Sequence, residues 1–185
     1  MKQKVEERII SPREIIIGEP NAKVQLVEYG DYESPESAKA HDVVLQLLEE
    51  YKGKIGYNFR HFPMTKIHQR SFKAAEAAIG AAQEGKFWEM HNLLFKYHRN
   101  LGITTLKGYA REAGVTSKHF LEDLMNSKYG WYVRENQMQG ADIGVKDVPA
   151  FFINGTRFEG KPNFQNLSAA IDTALRSRKK IKQAA

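Results

Sequence analysis

Two serines one helical turn apart, Ser34 and Ser37 in the stretch Ser34-Pro35-Glu36-Ser37, are the residues whose types and spacing first suggest chemistry. They lie between the apolar run "KVQLVEYGD" and the segment "AKAHDVVLQLLEEYKGK", where a strand is expected to give way to a helix. A helix start gathers unpaired backbone N–H groups and the positive end of the helix dipole, so it favours an anion. Hydroxyls there can cap the helix, donate to a bound anion, or attack a substrate if a base stands beside them. Spacing assigns Ser34 no base and the chain has no Gly-x-Ser-x-Gly elbow, so serine hydrolysis finds no support. Capping alone accounts for the residue types: Ser34 as N-cap, Pro35 at the first helical position, and Glu36 against the positive end.

The six histidines raise the question of a metal. His91 and His98 are seven apart, as are His61 and His68. Neither pair has the i, i+4 spacing of a helical zinc site and no motif places an acidic third ligand, so no metal is expected and these histidines read as core or partner-facing. Phe87-Trp88 and Trp131-Tyr132, at helical spacing, read as core. The chain has no cysteine, which excludes disulfides, thiolate metal sites and sulfur nucleophiles.

At 185 residues, with 42% hydrophobic and 27% charged residues, the chain suits one globular domain. Its longest apolar run near the N-terminus is Ile15-Ile16-Ile17, too short for a secretory signal, and no stretch of about 20 apolar residues exists. A cytoplasmic protein without membrane insertion is expected. The formal charge of +6 hints at an anionic partner, but much of it sits in "RSRKKIKQ". That run fits the negative end of a terminal helix, and no aromatic interleaving or base-reading motif accompanies it, so no nucleic-acid partner is expected.

The elements around the serines follow from periodicity. Val24, Leu26 and Glu28 alternate with Gln25, Val27 and Tyr29 in a buried, central strand; a helix follows with Ala40, Val43, Val44, Leu47 and Leu48 on one face and Gly53 beyond its end. "IGYNFRHFP" is a second strand, and the right-handed crossover makes the pair parallel. From about 66 to 140 the pattern is helical, with Thr104 or Thr105 and then Thr116-Ser117 as expected N-caps. "PAFFINGTRFEG" is a hairpin turning at Asn154-Gly155, and a last helix starts from Asn163 or a neighbour. The sum is an α/β architecture, β-α-β then β-β-α, with an all-helical insertion. The expected divisions are an N-terminal extension at 1–22, a domain at 23–176 and a basic tail at 177–185.

"LVEYGDYESP", "RHFPMTKIHQRSFKAAEAAIGAAQEGKFWEMHNLLF" and "GVKDVPAFFINGTRFEG", in that order, resemble the DsbA-like branch of the thioredoxin superfamily, and in particular members also found fused to sodium/proton antiporters. The resemblance runs from about Val24 to Leu175 and implies a thioredoxin-like fold with a cis-proline at Val148-Pro149. It also implies Cys-Pro-x-Cys at the helix start, where this chain has Ser34-Pro35-Glu36-Ser37. Dithiol exchange needs a thiolate, a mixed disulfide and a leaving thiol, none of which two hydroxyls supply. The implied function is a redox-inactive domain of an oxidoreductase family, binding an extended peptide or protein segment at Pro35, Glu36, Val148 and Pro149, with no cofactor and with a homo-oligomer left open.

Two alternatives remain. Kappa-class glutathione transferases and the related 2-hydroxychromene-2-carboxylate isomerases are similar in having Ser-Pro-x-Ser at this helix start. On that likeness Ser34 would hold the thiolate of glutathione and Val148 would pair with the tripeptide backbone. Otherwise, Ser34 and Ser37 replace the catalytic cysteines of a thiol-disulfide oxidoreductase.

Overall fold

The computed structural model describes residues 9–177. Its centre is the expected β-α-β unit: β2 Val24–Gly30, α1 Pro35–Glu50 and β3 Ile55–His61, with β2 and β3 parallel from Val24↔Ile55 to Gly30↔His61. Leu26, Val44, Leu47, Ile55, Tyr57 and Phe59 fill the space between sheet and helix. The returning strands are β4 Ala150–Ile153, antiparallel to β2, and β5 Thr156–Arg157, followed by α7 Phe164–Arg176. Asn154 and Gly155 both take positive φ, +50° and +80°, as a two-residue type I′ turn requires. The Asn163 side chain caps α7 by accepting from the Asn166 amide at 2.9 Å.

The N-terminal stretch is more than an extension. Ile16–Gly18 forms β1, antiparallel to β3 at the sheet edge, so the order across the five-stranded sheet is β1-β3-β2-β4-β5. A single turn of 3-10 helix, Pro12–Glu14, precedes it. Asn58, buried on β3, holds both pieces by donating through Nδ2 to the Pro12 and Ile15 carbonyls at 2.7 Å each. Three apolar residues in a row carry no period, which is why this strand is hard to read from sequence. The basic tail lies, from residue 178 on, outside the described residues.

Between β3 and β4 come five helices: α2 Ser71–Ala82, α3 Phe87–Lys96, α4 Ile103–Glu112, α5 Phe120–Met125 and α6 Gly130–Asp142. The Ala-rich α2 is buried along almost its whole length, packed against α3, α4, α5 and α6. Small side chains permit that approach; a Cβ on Gly80 would sit 3.1 Å from the rings of Phe120 and Tyr129.

Two expected caps differ. Gly102 is the N-cap of α4, and Thr105 turns its hydroxyl back onto the Gly102 carbonyl at 2.7 Å. Thr116 and Ser117 give their amides to the Glu84 carboxylate at 2.9 and 3.0 Å, and α5 begins later, at Phe120. A carboxylate from the turn after α2 thus holds the loop ahead of α5, a tertiary contact invisible to local spacing. Trp131 also departs from expectation: Phe87 is buried and Trp88 packs on the core, but Trp131 is 65% exposed.

Candidate functional site

The β2–α1 loop closes in extended backbone at Ser34, φ −77° and ψ 123°, and α1 begins at Pro35. Ser34 Oγ accepts from the Ser37 amide at 3.2 Å and donates to Glu36 Oε2 at 3.3 Å. Ser37 Oγ accepts from the Asp31 amide at 3.3 Å. Both serines are enclosed, 2% and 0% exposed, so their hydroxyls face the loop and helix end rather than solvent. Ser34→Ala removes the cap and should cost about 1 kcal/mol of stability in urea unfolding, with little change for Thr in its place.

Asp31 fixes this loop from behind. Its carboxylate accepts from the Glu33 amide at 2.8 Å and the Met64 amide at 2.7 Å, and pairs with His68 Nδ1 at 2.8 Å. Glu33 in turn accepts from the Arg70 amide at 2.8 Å. The segment between β3 and α2 is thereby tied to the start of α1.

Facing the helix start is the loop before β4, where the Val148–Pro149 peptide bond is cis. Glu36, Ala40 and Val43 from α1, Val148 and Pro149, and Lys161, Pro162 and Asn163 before α7 enclose a groove of about 630 Å³. Three of the sequence-selected residues, Glu36, Val148 and Pro149, thus share one surface. Ser34 and Ser37 lie buried at the helix start, and Pro35 lines a different groove, between α1 and α3. This groove beside Pro149 carries one carboxylate, Glu36, with Lys39 and Lys161, so its charge does not select a basic ligand.

Buried ionisable residues form a layer near this site that motif reasoning left out. Glu28, on the inward face of β2, is fully buried; its Oε2 accepts from Tyr57 at 2.6 Å and its Oε1 has no partner among the described residues. Burial outweighs the Tyr57 hydrogen bond and raises its pKa to about 8. Tyr32, at the loop, meets His91 Nδ1 at 2.9 Å. His41 and His91 stand edge to face at 5.0 Å, and His61 packs on Tyr32 and Phe59. Desolvation lowers His41 to about 4, His61 to about 3 and His91 well below its ordinary value, so all three are neutral at pH 7. The signal in sequence was Glu28 falling in phase with Val24 and Leu26. Among the described residues, no group of three His, Cys, Asp or Glu side chains converges as a metal site would require.

Comparisons agree with this geometry. The thioredoxin family model matches residues 11–173. A sodium/proton antiporter NhaA 1 of Salinispora arenicola is 38% identical over 164 residues, 88% of this chain and 25% of the antiporter. One from Mycobacterium sp. is 35% identical over 162 residues, 86% of this chain and 26% of that protein. The chain thus spans about a quarter of the length of these relatives. Among solved structures, BdbD from Bacillus subtilis superposes with a TM-score of 0.80 at 18% identity, covering 90% of this chain and 94% of BdbD. A thioredoxin-like oxidoreductase from Silicibacter pomeroyi gives 0.78 at 23% identity, covering 89% and 93%. With the β-α-β and β-β-α halves, the helical insertion and the matched family model all in agreement, this chain belongs to the thioredoxin family and carries no cysteine.

Proposed function

We propose that this domain binds an extended peptide or protein segment in the groove beside Pro149 and performs no dithiol exchange of its own. The observation that carries the reading is a groove formed by Glu36, Val43, Val148 and Pro149 against a helix start whose two hydroxyls are buried and already engaged. Val148 makes no backbone hydrogen bond among the described residues, so its N–H and C=O are available to pair with an incoming strand. The match to a segment of much longer transporter chains supports a binding or regulatory use over turnover of a diffusible substrate.

The test uses carboxymethylated insulin B chain, which is extended and has no free thiol. Fluorescence anisotropy is expected to show binding to the wild type and a loss of about tenfold or more in affinity for Val43→Asp, which places a charge in the groove wall. In parallel, insulin reduction with dithiothreitol should proceed no faster than in buffer. Equal affinity of the variant, or catalysed reduction, overturns the proposal. Glutathione binding through Ser34 is separated by calorimetric titration of wild type and Ser34→Ala: heat in the first and none in the second would replace the peptide reading with the transferase one. Because Ser34 already donates to Glu36 and is enclosed, no heat is expected in either.

A further inference from the structure

The face of α1 that turns away from Pro149 borders a second groove, about 530 Å³, formed with α3 and the residues that follow it. Its size falls within the range of small-molecule sites. Its charge is one-sided: Lys39, Lys96 and Arg99 line it, against the single carboxylate of Asp42. Among the described residues none of these three cations forms an ion pair; Lys96 instead stands over the Tyr97 ring at 4.9 Å. Beneath the charges the lining is apolar. Leu45 leaves 45% of its surface in solvent, and Phe95 is buried with the His41 ring stacked on it at 4.9 Å.

His41 supplies an independent observation. It lines the groove yet is only 7% exposed, and its Nδ1 is shut away from solvent with no hydrogen-bond partner among the described residues. Native interiors rarely leave such an atom unpaired, and this one belongs to a ring in the groove wall. We propose that the α1–α3 groove binds a small amphipathic carboxylate, its head group between Lys96, Arg99 and Lys39 and its apolar body over Leu45 and Phe95. This site is separate from the peptide groove, with Lys39 the one residue lining both.

The probe is decanoate, held below its micelle concentration and followed by amide chemical shifts of the full chain. Shifts are expected in residues 38–45 and 92–99. Acetate, which lacks the apolar body, and decanol, which lacks the charge, should leave those amides in place at the same concentration. Lys96→Ala with Arg99→Ala should weaken decanoate about tenfold or more, as should Leu45→Glu, while Lys161→Ala, on the peptide groove alone, should not. All four positions are at the surface, and far-UV circular dichroism matching the wild type confirms folding. Shifts centred on Val148 and Lys161, unchanged affinity in both groove variants, or equal binding of acetate or decanol would each overturn the proposal.

Discussion

The double replacement Ser34→Cys with Ser37→Cys is expected to turn a chain with no titratable thiol into one with two thiols when reduced and none after air oxidation. The N-cap position 34 and position 37 in the first turn of α1 are three residues apart, so their side chains are neighbours. The Ser37 amide that Ser34 Oγ now accepts from, at 3.2 Å, would face a thiolate instead, and the helix dipole favours that anion. Ellman titration before and after oxidation reads the change, and equilibration with dithiothreitol gives the stability of the bond. Single replacements should each keep one thiol throughout. Two free thiols persisting in the oxidised double variant, or a disulfide found only between chains, would show that the helix start lacks the geometry of its DsbA-like relatives.

Glu28→Gln should remove the fall in stability expected of the wild type as pH rises from 4.5 to about 8. Unfolded, Glu28 ionises near 4.5; folded, near 8. Between those values the native state holds a proton that the unfolded chain has released, so stability falls as pH rises, by up to about 1.4 kcal/mol per pH unit. The contribution is complete below 4.5 and is lost through about 8. His41, His61 and His91 act in the opposite sense: with folded pKa values below 6.5, their contribution is present above 6.5 and is lost as pH falls toward about 4 and 3. From 6.5 to 8 the histidine slope is spent and Glu28 acts without that opposition. Glutamine mimics the protonated acid, keeping an acceptor for Tyr57. At pH 7.5 the variant should be more stable by on the order of 3 kcal/mol, and at pH 4 nearly equal. Urea midpoints across this range check it; parallel curves would mean that Glu28 is not protonated in the native state.

Most of the scaffold was readable because its signals are local. The alternation in Val24–Gly30, the apolar stripe of α1 and the Asn154-Gly155 turn each identify their element without a partner. The strand Ile16–Gly18 and the loop before α5 were not, because their hydrogen bonds come from residues far along the chain, such as Asn58 and Glu84. At the site, spacing identified the helix start and the family resemblance the Pro149 loop, but neither showed that both hydroxyls would be enclosed. Burial is a property of the assembled fold: Asp31, three residues before Ser34, is tied to Met64 and His68, and no short window of sequence contains all four residues. Pro35 shows the same limit in reverse, since adjacency to Glu36 in the chain put it on a different groove.

The sheet ends on both sides in strands of three and two residues, Ile16–Gly18 and Thr156–Arg157. Flanks this short give a foreign strand little ladder to extend, which discourages copies of the domain from stacking edge to edge. At high concentration the domain should therefore stay dispersed, and a client chain that docks by main-chain pairing meets its best template at the bend before Ala150 rather than along the rim.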